Sequence, residues 1–199
     1  MFDNDIVSTK QRTMESIKKN FLLMYKNKPL KEIKVSDLIR ACNISRGTFY
    51  FHFEDIYALY CECEQDMIGF LEAGLSDVIL STVGMDYNKH IKILSKDLKR
   101  YVEHIDMFQC FLSGSEEVAF RQAWFDSICR NYGKSMEFSH SMPLSKQKNI
   151  IRFYAGGHLA LLSNWVLEGC KEPAEDIAHI SAQVLFEGAF LKTNDKKTS

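Results

Sequence analysis

Apolar residues recur at helical spacing along this chain, and the recurrences mark out its elements. Met14, Ile17, Phe21 and Met24 form the buried stripe of a first helix at about residues 8–27, ended by Lys28-Pro29. From Ile33 to Phe53 the pattern becomes a short helix, a tight turn and a second short helix. Leu38, Ala41, Ile44 and Phe49 are the apolar set that lets these two helices cross. Asn43 ends the first, because Asn tolerates the left-handed conformation of a C-terminal cap. Ser45 suits the N-cap of the second. Phe49 and Phe53 lie four residues apart and share its inner face. Asp55 then N-caps a long fourth helix that runs to about Ser81, and residues 82–86 break it. Further helices are expected at about 87–101, 105–112 and 116–138, with a turn at Ser113-Gly114-Ser115 and a loop from Ser139 to Pro143. The last two helices carry Ile151, Tyr154, His158, Leu161 and Trp165, then Ile177, Ile180 and Val184, at alternating three- and four-residue spacing. Gly169 is the C′ residue between them, and Pro173 with Glu175 and Asp176 opens the final helix. The tail at 193–199 is polar and expected to fray. The fold class is therefore all-α.

The polar face of the second short helix carries the chemistry. Gly47, Thr48, Phe51 and His52 lie opposite Phe49 and Phe53, with Arg46 and Tyr50 at the edges of that arc. Arg46 can pair with a guanine edge or a phosphate, and Phe51 can pack on a thymine methyl. Tyr50 and His52 can donate to phosphates, and Gly47 permits close backbone approach. A helix-turn-helix of this design lies in the major groove of DNA. Charge agrees with that reading. The net charge is −1, yet residues 8–52 hold ten Lys or Arg against three acids, and residues 53–199 hold fifteen against twenty-one. A basic N-terminal quarter on an acidic body is the footprint of a DNA-binding head.

At Ile33 to Leu59 the chain resembles the tetracycline-repressor (TetR/AcrR) family of one-component regulators. The run Ser45-Arg46-Gly47-Thr48-Phe49-Tyr50-Phe51-His52-Phe53 carries the resemblance. Three positions depart from it. Lys34 stands where the family has a capping Thr, so Asp37 must favour the helix start by charge. Ile39 replaces a small residue at the helix crossing. Ile56 replaces a Lys that opens the fourth helix and contacts phosphate. The resemblance implies a three-helix DNA-binding domain at 1-54 and a helical regulatory and dimerisation domain at 55-199. It implies an operator as the DNA partner, with Ser45, Arg46, Gly47, Thr48, Tyr50, Phe51 and His52 as the contact set.

The last two helices are apolar on two sides, a second stripe being Ile150, Phe153 and Gly157 with Leu185 and Ala189. Such helices need two partners: the body of their own subunit and, by this reading, the same pair from a second copy. The expected homodimer face is Tyr154, His158, Leu161, Trp165, Ile177, Ile180 and Val184. The middle of the chain concentrates large soft residues. Met67, Phe70, Tyr101, His104, Met107, Phe108, Phe111, Phe120 and Trp124 are the candidate lining of a pocket for a small hydrophobic ligand, since the family holds its inducer among these helices. Plain core is the competing reading.

Six cysteines have neither disulfide-framework nor zinc spacing, and read as thiols in a reducing compartment. Asp106 and Cys110 are the one pair at ligand spacing, too little for a metal site. No cofactor is expected. There is no glycine-rich phosphate loop, nucleophile elbow or metal cluster, so an enzyme is not expected. No apolar run reaches the length of a membrane span, and the N-terminus lacks a signal pattern, so the protein is expected in the cytoplasm. The sequence thus predicts a dimeric repressor released by a ligand. The alternative is a co-regulator whose helix-turn-helix contacts a partner protein rather than DNA, which the Ile56 departure favours.

Overall fold

A computed structural model describes residues 2–83, 86–135 and 142–187, with side chains described from Thr9 onward except at 82, 83 and 135. The expected helix end near Phe138, most of the loop at 139–143, the centre of the break at 82–86, Ala189 and the tail at 193–199 lie outside the described residues. Within them the regular structure is helical throughout. The helices are α1 (Phe2–Tyr25), α2 (Val35–Cys42), α3 (Arg46–His52), α4 (Ile56–Val83), α5 (Tyr87–Glu103), α6 (Ile105–Ser113), α7 (Glu117–Ser135), α8 (Leu144–Leu167) and α9 (Ala174–Phe186). A single turn of 3-10 helix at Leu30–Glu32 joins α1 to α2.

Local chemistry sets the boundaries. Asn43 adopts the left-handed conformation (φ 52°, ψ 47°). The Ile44 amide donates to the Ile39 carbonyl at 3.1 Å and the Asn43 amide to Arg40 at 3.2 Å, a Schellman closure. The Thr48 amide donates to Ser45 Oγ at 3.0 Å, and the Ala58 amide to Asp55 Oδ1 at 2.7 Å. α2 starts at Lys34 with no side-chain cap, and Asp37 stands in its first turn. Gly169 (φ +87°) and Cys170 (φ 52°) close α8. The Trp165 indole then donates to the Glu172 carbonyl at 3.0 Å and fixes the turn into α9.

The chain forms two compact units. The first comprises Met1–Leu71 with His104–Trp124, and the second Glu72–Glu103 with Phe125–Ser199. α4 and α7 run through both.

In the first unit Ile17, Phe21 and Tyr25 of α1 are buried with Leu38, Phe49, Leu59, Met67, Phe108, Phe111 and Phe120. Lys18 reaches Asp66 at 2.6 Å and Glu62 at 3.3 Å, tying α1 to α4. Burial alone would lower the Lys18 pKa, but these two carboxylates raise it on balance. Tyr25 is a hub. Its ring lies 5.5 Å from that of Tyr60 and 6.2 Å from Phe111, and its hydroxyl accepts from the Glu116 amide at 3.1 Å. Gly114 makes this contact feasible, because a Cβ there would overlap the Tyr25 phenol and lie 2.7 Å from the Cys110 carbonyl. Gly114→Ala should therefore destabilise the protein by about 1–3 kcal/mol, the cost of overpacking a filled site. A thermal melt checks this, and an unchanged melting temperature would show that the phenol can move aside.

In the second unit α5 packs along α9, and α8 meets α9. Gly74 of α4 lies so close to α5 that an added Cβ would collide with the Asp97 carboxylate. Asp97 pairs with Arg100 at 2.6 Å; burial raises its pKa, opposed by that guanidinium. Glu72 accepts from Ser127 at 2.5 Å and Asn131 at 3.2 Å, joining α4 to α7.

Two buried histidines make the second unit sensitive to acid. His90 bonds with the Ser81 hydroxyl at 3.1 Å, and His158 is enclosed on α8. Burial, and then the proximity of His90, push the His158 pKa from 6.5 down to about 4. Burial also lowers that of His90. The unfolded chain therefore takes up protons first. The contribution of the two histidines to stability should be fully present above about pH 6.5 and be lost as pH drops towards 4, by about 3 kcal/mol for His158. His158→Asn should flatten the dependence of melting temperature on pH across that window. An unaltered acid slope would assign the sensitivity to other groups.

Candidate nucleic-acid interface

The candidate surface is built on three local devices: the left-handed stop at Asn43, the Ser45 cap and the inward anchors Phe49 and Phe53. Both phenylalanines are buried, with ring centroids 5.9 Å apart. Their burial turns the other face of α3 outward. Phe51 is 69% exposed and Tyr50 49%, while Arg46 and Gly47 are also exposed and Thr48 and His52 half-buried. Arg46 makes no ion pair among the described residues, so its guanidinium is available to an outside acceptor. Thr48 shares its hydroxyl with Ser45 Oγ at 2.8 Å, which holds both at the start of the helix. A Cβ at Gly47 would meet Ser45 Oγ at 3.7 Å, ordinary contact. The fold itself thus does not demand glycine there.

Lys10 on α1 belongs to this surface and was not singled out by the sequence. Its ammonium lies 5.0 Å from the centre of the Phe51 ring. Burial, and then the Lys10 charge, lower the His52 pKa. A neutral imidazole still donates one N–H to a phosphate. Ile56, at the first residue of α4, is buried. The position that the resemblance would fill with a phosphate-binding lysine is here part of the core.

The candidate ligand lining divides between the units. Tyr101 lies in the second, buried beside Asp97. The others lie in the first, where the rings pack on one another. Phe111 stacks on Phe120 at 5.0 Å, Phe120 meets Trp124 at 6.1 Å, and Phe70 touches Phe108 at 5.8 Å. His104 is exposed, its ring edge-on to Phe70 at 4.9 Å. Met67 is buried and Met107 half-buried. Asp106, paired with Cys110 in the sequence pattern, is engaged by Lys26 at 2.7 Å.

The candidate dimer residues also divide. Tyr154, His158, Leu161, Ile180 and Val184 come together with Phe153 and Gly157 along a mostly apolar groove of about 570 Å³ on α8 and α9, edged by Arg152. Trp165 and Ile177 are buried within their own unit, away from that groove, and His158 is mostly buried at its floor. The thiols of Cys42, Cys63, Cys110, Cys129 and Cys170 are all pushed up by burial, Cys63 to about 12. Such thiols stay protonated and are poor redox nucleophiles.

A TetR-type family model described as "Transcriptional regulator C-terminal region" matches residues 88–187, half of the chain. The chain belongs to the TetR family of transcriptional regulators. The all-helical fold of this TetR-family regulator agrees with solved structures. One is the fatty acid degradation regulator FadR from Bacillus halodurans, with a TM-score of 0.57 and 17% identity over 89% of this chain and 96% of that one. Another is the dihydroxyacetone kinase operon activator DhaS, with a TM-score of 0.52 and 14% identity over 88% of this chain and 94% of that one. At these identities the likeness speaks for the fold alone. No curated relative matches the chain. Among the described residues no helix of this TetR-family chain is long and apolar enough to cross a membrane.

Proposed function

We propose that this TetR-family regulator is a cytoplasmic repressor that binds duplex operator DNA as a homodimer and is released by a ligand. The observation that carries the reading is the outward face of α3. Arg46, Tyr50 and Phe51 project from a helix anchored by two buried phenylalanines, and Lys10 stands beside them. In the proposal Ser45, Arg46, Gly47, Thr48, Tyr50, Phe51 and His52 contact DNA. Residues 1-54 form the DNA-binding domain, and residues 55-199 serve sensing and dimerisation. Gel-shift competition between the protein's own promoter region and random DNA tests it: a preference is expected, and equal competition would contradict it.

Dimerisation draws support from the open face of α8 and α9. Phe153 is 75% exposed, Ile180 45% and Val184 42%, an apolar set that a lone subunit leaves in water. Gly157 has no neighbouring atom within 4 Å of a would-be Cβ, which leaves room for another helix to approach closely. Two recognition helices on a two-fold pair read two half-sites, whereas one alone grips weakly.

For release, the candidate is a small hydrophobic ligand that enters the Met and aromatic cluster. The rings there already pack on one another, so a ligand must displace side chains. α4 begins next to the recognition helix and continues into the second unit, so a change in its tilt would alter the spacing of the two recognition helices. Reciprocity requires operator DNA to weaken ligand binding by the same factor. The burial of Ile56 favours the second reading, a co-regulator whose helix-turn-helix contacts a partner protein. In that case promoter DNA would show no preference.

A further inference from the structure

The second unit carries a basic groove that neither DNA binding nor the apolar dimer face uses. It lies between α5 and α9, holds about 500 Å³, and is lined by Lys92, Ser95, Lys96 and Lys99 of α5 and by Glu175 and His179 of α9. Asn88 and Ile91 complete one helical stripe with the α5 residues, at successive spacings of three, one, three, one and three. We infer that this groove is a binding site for a small polyanion, a ligand bearing two or more linked phosphate or carboxylate groups.

Charge is the first reason. Lys92 and Lys96 stand at i,i+4 and Lys96 and Lys99 at i,i+3, spacings at which like charges repel and oppose the helix. None of the three has an ion pair among the described residues, so no carboxylate of the fold relieves that repulsion. Glu175 is the one acid on the groove wall. Three lysines repelling one another around a concavity, on a body that is otherwise acidic, are accounted for by an anion between them. Lys92 and Lys99 are about 10 Å apart along the helix, a span that flexible side chains can close over linked anionic groups.

Ser95 is the second and independent reason. It is only 8% exposed, yet it lines the groove, and its hydroxyl makes no hydrogen bond among the described residues. A helical serine can bond back to the carbonyl one turn earlier, as Ser81 and Ser113 do. Here the hydroxyl is left to the groove wall that also carries the three lysines, where an anion can accept from it. α9 contributes His179 to the wall, while Glu175 and Asp176 in its first turn offset the partial positive charge of that helix end. The volume lies in the range of small-molecule sites.

This site is independent of the operator reading and is tested without DNA. The full chain is titrated with sodium tripolyphosphate by isothermal calorimetry at two salt concentrations, with citrate in parallel to separate phosphate from carboxylate. Saturable binding of at least one anion is expected. Replacing Lys92, Lys96 and Lys99 together with Gln should weaken it at least tenfold, while Lys148→Gln on α8 leaves it unchanged. All these side chains are exposed, and circular dichroism confirms that the variants stay folded. Ser95→Ala should weaken binding severalfold at an unaltered salt dependence, an effect that diffuse attraction to lysines would not produce. Three results would overturn the site: no saturable binding of either anion, equal affinity in the triple variant, or equal affinity in Ser95→Ala. Binding of a decaglutamate peptide without binding of either small anion would also overturn it, and would assign the groove to an acidic segment of a protein partner.

Discussion

Replacing Val184 or Phe153 with Glu should turn the protein into a folded monomer that no longer holds its operator. Phe153 is largely in water and Val184 partly so in the single subunit, so a carboxylate at either position can reach solvent in the lone chain. In the proposed dimer the same carboxylate is buried twice, once from each copy, in a mostly apolar seam whose one charged lining residue, Arg152, is held over the Phe125 ring. Burying an unpaired charge in apolar surroundings costs several kcal/mol, enough to shift a micromolar dimer to monomer. Operator affinity should fall at least a hundredfold, because each half-site is then held by one head alone. Circular dichroism should be unchanged, which separates dissociation from unfolding. Leu161→Glu is expected to have the same outcome. Its half-buried side chain also packs within its own subunit, so it discriminates less well. A Val184→Glu protein that still sediments as a dimer would place the interface elsewhere.

Arg46→Ala should weaken operator binding by about 1–3 kcal/mol and relax the preference at one base pair, if the guanidinium forks onto a guanine. Arg46 makes no ion pair among the described residues, so its loss leaves no partner stranded and the fold intact. Tyr50→Phe removes only a hydroxyl and should weaken binding to all sequences alike, as expected for a phosphate contact. Lys10→Gln should behave similarly and reduce the salt dependence of binding. Binding by an Arg46→Ala protein with unaltered affinity and base preference would remove this residue from direct readout.

What was legible in the sequence was what is fixed locally. The stop at Asn43, the cap at Ser45, the cap at Asp55 and the paired anchors Phe49 and Phe53 each depend on residues within four positions of one another. The structure has all of them. What needed the structure were contacts between distant segments. No periodicity connects Lys10 with Phe51, or the Tyr25 hydroxyl with the Glu116 amide, and Gly114 could be read as a turn without revealing the phenol pressed against it. On α8 the apolar residues wrap too far round the helix for spacing to say which stripe faces inward. The structure turns His158 and Trp165 into their own unit and leaves Phe153 in water. The aromatic residues from Met67 to Trp124 read as one cluster in the sequence, but Tyr101 belongs to the other unit. The lysines of α5 carried no signal in the sequence. Their concavity, with Ser95 on its wall, exists only once α9 is laid beside them.

The central claim is that the outward face of α3, presented by a pair of subunits, reads a specific DNA sequence. Nuclease footprinting of the promoter region upstream of the protein's own gene, with full-length wild-type protein and excess random DNA, tests it most directly. The account predicts two protected half-sites related by two-fold symmetry, their centres one helical turn of DNA or a multiple of it apart, with protection lost in Arg46→Ala at the same protein concentration. Uniform protection that random DNA abolishes, or a footprint indifferent to Arg46, would contradict it.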